Sequence, residues 1–458
     1  MGNQSHNVLD TDKIGRLLMK LTMPMFFGML IQNIYNVVDT IFIGHYVGVE
    51  GIAALSIAFP IQMLVMGVGN MVGLGGGSLI SRLIGGSDHL RAERTLGNTL
   101  CFSLLSSVIL TAIVLPGLNY WLKLIGASES VLPLASGYLT IIFGATIINI
   151  TNSVLLMLVR AEGNTQVTMI SLIIQSVLNI ALDAIFMIPL KMGVQGAAWA
   201  MVISQAVSIA YLLSYYLTGS SYLKISWRNF VPDFKIVKSI FAIGVTQFAQ
   251  AIAMTVSAMF FIRMAVNYGG DIALASFGII QRIMMFSTIP GMVLGQAMQP
   301  ILGFNYGAKR YKLALKSITL ASMVTTVFAL AAFAILMFIP EPIIRIFTSD
   351  NALVEETIFA VRLIFSVIPL FSLYNVGQLV FPSIGKVWES LIISISRPLL
   401  FLTPLVFILP RIWDMTGVWL SFPGSDLLSF LLVLGLLIPL FIKLNKAAAA
   451  GPAPQVGH

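Results

Sequence analysis

The feature that most limits what this chain can become is a succession of apolar runs, each twenty or more residues long, from residue 14 to residue 443. A helix needs about 20 apolar residues to cross the hydrocarbon core of a bilayer, and there every backbone N–H and C=O must be satisfied within the protein. Strands of a membrane barrel would instead alternate polar and apolar residues over about ten positions. The runs here do not alternate, so they read as helices. Composition supports a membrane protein: only 10% of the 458 residues are charged, against about a quarter in an average soluble domain. So few charges cannot cover a water-facing surface of this size, and the mean hydropathy is +0.94.

Several function classes drop out early. The formal net charge is +8, but the basic residues are spread through short loops rather than gathered in one patch, so no nucleic-acid partner is expected. The single cysteine, Cys101, lies within an apolar segment, and His6, His45, His89 and His458 have no ligand spacing, so neither a disulfide framework nor a transition-metal site is expected. No nucleophile and base set stands at membrane depth, which argues against an enzyme. The polar start Met1–Asp12 leads into a segment too long for the core of a signal peptide.

Reading the runs between glycine, proline and charge gives twelve spans. They cover residues 14–43, 52–80, 95–116, 132–158, 168–190, 194–217, 236–264, 272–303, 314–338, 355–380, 388–409 and 417–443. With the amino terminus in the cytoplasm, eighteen of the loop lysines and arginines fall on that side and five (Lys123, Lys191, Arg263, Arg345 and Arg411) on the other. This bias predicts that both termini are cytoplasmic. The polar stretch after the sixth span divides the chain into an N-lobe (1–217), a linker (218–235), a C-lobe (236–445) and a disordered tail (446–458). The halves echo each other about 220 residues apart: IAALS at Ile52 answers IALAS at Ile272, and LIGGSDHLRAER from Leu83 answers GFNYGAKRYKLA from Gly303. Six spans per half make this a parallel repeat, an arrangement that places a substrate site where the repeats meet.

A charge inside a membrane helix needs a partner, a cavity or a proton. In the first span Gln32, Tyr35, Asn36 and Asp39 recur at intervals of three and four, which makes a polar stripe downstream of Pro24, a proline able to hinge the helix. The fifth span carries Asn179 and Asp183 four residues apart, and the fourth adds Tyr138, Asn149 and Asn152. Taken singly, the asparagines are equally explained by interhelical hydrogen bonds. Two carboxylates with no basic residue deep in their own half point instead to a bound proton, or to Na⁺ if neutral oxygens complete its shell. In the second half, Arg362, Arg397 and Asp426 read as ion pairs fixing helix packing, and Arg282 as lining a cavity. The run Gly73–Gly77 lacks the ending of a phosphate loop and reads as close helix packing.

With these residues in place, the sequence resembles the multidrug and toxic compound extrusion (MATE) transporters, in the DinF-like and MepA-like prokaryotic branch. The likeness covers nearly all of residues 10–445. It is carried by PMFFGMLIQNIYNVVDTIFIG from Pro24, NIALD from Asn179, GVQGAAWA from Gly193, QPILGFNYGAK from Gln299 and WLSFPGSD from Trp419. The resemblance implies an all-α integral membrane protein of twelve transmembrane helices in two six-helix lobes set in a V. It also implies a plasma-membrane exporter, acting as a monomer without a cofactor, that exchanges amphipathic and often cationic drugs for H⁺ or Na⁺. The family's cation site falls on Asp39, Asn179 and Asp183, and its substrate cavity on Gln32, Tyr35, Asn36, Tyr138, Asn152 and Met201. Met201 replaces a threonine oxygen common in the family, which favours H⁺. The span-seven carboxylate of the NorM-like branch is absent from Gln247–Phe261, so no second coupling site is expected. The alternative is a lipid-linked saccharide flippase of the same superfamily, whose basic cavity for pyrophosphate contrasts with the acidic first half seen here.

Overall fold

The structure is a computed structural model that describes residues 8–125 and 129–449. Eleven of its helices are long and apolar enough to cross a membrane, and a bent pair makes a twelfth span. In chain order they are α1 (Ile14–Tyr46), α2 (Val49–Gly85) and α3 (His89–Lys123), then the bent pair α4 (Leu132–Gly144) and α5 (Thr146–Ala161). α6 (Thr165–Met187) and α7 (Val194–Leu217) complete the first six spans. The rest are α8 (Phe234–Gly270), α9 (Ile272–Gly307), α10 (Tyr311–Phe338), α11 (Asn351–Ser383), α12 (Val387–Ile408) and α13 (Pro410–Ala449). The protein is thus an all-helical, multi-pass membrane protein. α13 runs through Ala449, into the stretch read as a tail, and residues 450–458 lie outside the described residues.

The chain divides into two compact units. One holds Met19–Gly244 with the residues before Asp12; the other holds Asp12–Leu18 and the chain from Val245 onward. In lipid, apolar surface gains little by leaving its solvent, so packing and interhelical hydrogen bonds do most of the work of holding helices together. The first unit shows both. The glycine run of α2 turns successive positions toward different neighbours, with Gly73 against Met157, Gly75 against the Ile240 carbonyl and Gly76 against Thr99. A β-carbon at Gly75 would collide with that carbonyl, so the close approach of the first turns of α8 requires glycine there. The fourth span bends by 58° between α4 and α5. Asn149 Nδ2 donates across the bend to the carbonyls of Ile142 (3.3 Å) and Ala145 (3.2 Å), and so ties the two pieces together.

The polar stretch after α7 is bound to the first unit. Asn98 Nδ2 donates to the carbonyl of Val231 (3.1 Å), while its Oδ1 accepts from the Asp233 N–H (2.7 Å). Glu162, just past α5, accepts from the Ser221 hydroxyl (2.7 Å), the Tyr222 N–H (3.0 Å) and the Tyr215 hydroxyl (3.2 Å). In the second unit Gly270, at φ +60°, breaks the helical path between α8 and α9. An aromatic cluster forms that unit's centre: Phe261 meets Phe277 at 4.5 Å and Phe422 at 4.8 Å, and the buried Trp419 donates from Nε1 to Glu356 (2.9 Å). This explains the tryptophan and phenylalanine of the WLSFPGSD stretch as packing residues.

Candidate cation site in the first unit

The site is built on a ridge of α6. Ser171, Gln175, Asn179 and Asp183 follow at steps of four, so they stack along one face, and all four are buried. The carboxyl of Asp183 lies in hydrogen-bond contact with that of Asp39 on α1. With its amide set to satisfy both neighbours, Asn179 donates to Asp183 Oδ2 (3.1 Å) and accepts from the Met201 N–H on α7 (3.2 Å). One oxygen of each acid, Asp39 Oδ1 and Asp183 Oδ1, is buried with no donor against it. Two carboxyls in contact, each with an orphaned acceptor, fit a species that brings positive charge and no bulk. Among the described residues no trio of His, Cys, Asp and Glu comes together, so a larger ion would have to complete its shell with neutral oxygens such as that of Asn179.

A second string of hydrogen bonds runs beside the acids. The Tyr35 hydroxyl contacts Gln32 and Gln175. Gln175 Oε1 accepts from Asn152 Nδ2 (2.9 Å), Asn152 Oδ1 accepts from the Ser208 hydroxyl (2.7 Å), and Ser208 meets Ser171 at 2.7 Å. Gln62 on α2 donates to the Tyr138 hydroxyl (3.1 Å) and lies 3.9 Å from the Met201 sulfur. The structure therefore brings together Asp39, Asn179, Asp183, Gln32, Tyr35, Tyr138, Asn152 and Met201. Asn36 stands apart and exposed. As the neighbour of Tyr35 in a helix it points about 100° away from it, so the two cannot serve the same face equally. Gln62, Ser171, Gln175 and Ser208 were missed by the sequence reading, although Ser171 and Gln175 continue the four-residue step upstream of Asn179. Pro24 lies inside α1, which stays helical on both sides of it.

The second unit handles its buried acid differently. Arg397 Nε donates to Asp426 Oδ1 (2.5 Å), both side chains are largely buried, and the guanidinium stacks 4.3 Å from the Phe371 ring centroid. Arg397 sits in a π-helical stretch, Ser396–Leu402, a local widening of α12 that lets its side chain reach α13. Arg362 is not part of this pair: it is exposed and donates to the Met337 carbonyl (3.2 Å). Arg282 is also exposed and stands 5.9 Å from the Phe347 ring centroid.

Comparison with known proteins agrees with this architecture. The MatE family model matches twice, over residues 24–185 and 247–408, so the two halves are a true repeat offset by 223 residues at their starts. At that offset Asp39 and Asp183 fall on Ile262 and Val406, and the acid pair has no counterpart in the second half. The multidrug export protein MepA of Staphylococcus aureus (strain NCTC 8325 / PS 47) is 28% identical over 349 residues, 76% of each chain. A solved structure of a MATE in the bent conformation matches with a TM-score of 0.92 at 25% identity, over 98% of this chain and 100% of that one. Another, an outward-facing multidrug resistance MATE family transporter of the MOP superfamily, gives 0.89 at 25% identity over 97% and 100%. Since the two matched segments take in most of the chain, it belongs to the MatE family, the multidrug and toxic compound extrusion transporters, which are carriers and not enzymes.

Proposed function

We propose that the protein is a secondary active multidrug exporter, exchanging amphipathic and often cationic drugs for H⁺ by alternating access. It would act as a monomer in the plasma membrane, with both termini in the cytoplasm. The observation that carries this reading is the contact between Asp39 and Asp183, against which no lysine or arginine of the described residues stands. Two like charges in contact repel in a low-dielectric setting, and one bound cation removes that repulsion. Release of the cation restores net negative charge to a site that also holds Tyr35 and Tyr138. A cationic drug then gains by entering, and it loses that gain when the coupling ion returns. Ion and drug compete for one charge, which is the linkage an exchanger needs.

The choice of H⁺ over Na⁺ rests on the ligands. A proton needs one carboxyl oxygen, whereas Na⁺ needs a shell of hard oxygens, and Met201 presents a soft thioether beside the site instead. The name of the staphylococcal relative supports multidrug cargo, and the unpartnered acid pair favours cationic cargo over a pyrophosphate-linked saccharide. Efflux of a fluorescent organic cation from proteoliposomes, under separately imposed H⁺ and Na⁺ gradients, tests the reading. An inward H⁺ gradient should drive efflux and a Na⁺ gradient should not; drive by Na⁺ alone would reassign the ion, and drive by neither would remove the exchanger.

A further inference from the structure

We propose that the turn joining α9 to α10 is a binding surface for the phosphate headgroup of anionic phospholipids. Four cations, Lys309, Arg310, Lys312 and Lys316, fall within eight residues and are all exposed. Among the described residues, Lys309, Lys312 and Lys316 have no carboxylate partner. Lys312 and Lys316 are four apart on α10, where like charges face each other and repel. The turn ends one membrane span and begins the next, which sets it at the bilayer surface. Tyr306 and Tyr311 meet there edge to face at 5.9 Å, and such amphipathic rings favour the level of the headgroups. Nothing in this depends on what the protein exports.

The repeat supplies an internal control. The turn between α2 and α3 has the same backbone: Ser87 at φ +59° precedes Asp88 at φ −91°, ψ 69°, as Lys309 at φ +57° precedes Arg310 at φ −84°, ψ 64°. Its chemistry is reversed. Asp88 accepts from the Arg91 N–H (3.2 Å), and Glu93 accepts from the Lys224 N–H (3.2 Å), so acidic groups stand among the arginines and tie the turn to the following chain. The second turn carries no acid of its own, and among the described residues Lys309, Lys312 and Lys316 have no carboxylate against them, which leaves these three lysines open to an anion from the bilayer. At the bilayer surface the anion present at highest density is the lipid phosphate, and each basic residue near such a surface adds to the attraction.

The test is native mass spectrometry of the whole protein released from mixed phosphatidylglycerol and phosphatidylcholine bilayers. Wild-type protein should retain phosphatidylglycerol in preference to phosphatidylcholine. The variant Lys309→Gln/Lys312→Gln/Lys316→Gln should lose that preference by about tenfold or more, while Arg91→Gln/Arg94→Gln should keep it. Each variant's melting temperature in detergent confirms that it is folded. An excess of inorganic phosphate should not displace the lipid; displacement would mean a site for a free anion and would overturn the proposal. Equal retention by wild type and the triple-lysine variant would overturn it too.

Discussion

The two units carry buried acids under opposite terms. In the first, Asp39 and Asp183 face each other with orphaned oxygens and no lysine or arginine of the described residues against them. In the second, Asp426 is held by Arg397, which is itself packed on Phe371. The two sites are not repeats of one another, since at the offset of the family match Asp39 and Asp183 fall on Ile262 and Val406. On the function proposed above, the difference separates exchange from packing: the acid with a fixed partner has nothing to exchange, whereas the acid pair would take its cation from solution.

The largest effect expected from this contrast is on stability. Arg397→Met should destabilise the protein by about 3–5 kcal/mol, because Asp426 is left buried and unpaired. Arg397→Met/Asp426→Leu should recover most of that loss, as replacing both members of a buried pair commonly does. Thermal unfolding in detergent checks both, and the comparison weakens if the single variant melts like wild type. Glu162 gives the next effect. Burial raises its carboxyl to about 7 from an ordinary 4.5, against the hydrogen bonds from Ser221 and Tyr222 that favour the charged form. Since the folded value is the higher, the associated stability is fully present below pH 4.5 and is lost as pH rises through 7. That amounts to about 3 kcal/mol. The melting temperature should therefore fall across this window, and Glu162→Gln should flatten the fall.

Smaller effects sharpen the picture of the first unit. Gln175→Leu strands Asn152 Nδ2 and removes a partner of Tyr35. Hydrogen bonds between membrane helices average about 0.6 kcal/mol, below the 1–3 kcal/mol typical of a buried group left unsatisfied in water-soluble proteins, so a loss near 1 kcal/mol is expected. Drug affinity should fall with it, as calorimetry on the purified variant would show. Pro24→Ala restores a backbone donor to α1 and stiffens it. It should slow turnover a few-fold while leaving drug affinity nearly unchanged, so efflux rate and affinity are to be measured on the same preparation.

Much of this was legible in the sequence because membrane insertion writes itself in long apolar runs, and because a buried acid is conspicuous among them. The helix stripe and the α6 pair single out Asp39, Asn179 and Asp183, which the fold brings together. Other features left no such mark. The bend at Ala145 separates two pieces that together read as one apolar span, so hydropathy passes over it, and Asn149 gives no sign that it serves carbonyls of its own span. Ser171 and Gln175 carry no charge to draw attention to them, and only their step of four from Asn179 distinguishes them. Glu162 looks like any loop acid until the chain folds Ser221 and Tyr222 back onto it. The pairing of Arg397 with Asp426 and not of Arg362 depends on the local π-helical turn, which periodicity does not reveal.

The central claim is that the unpartnered acids of the first unit carry the coupling ion. It is tested most directly by efflux from proteoliposomes under an imposed H⁺ gradient, with Asp39→Asn and Asp183→Asn variants compared with wild type at matched protein content. Neither substitution removes the partner of a fixed charge, so both variants should fold and insert normally. Gradient-driven efflux should be abolished in each. Wild-type rates in both variants would contradict the claim and leave the acid pair as a packing feature.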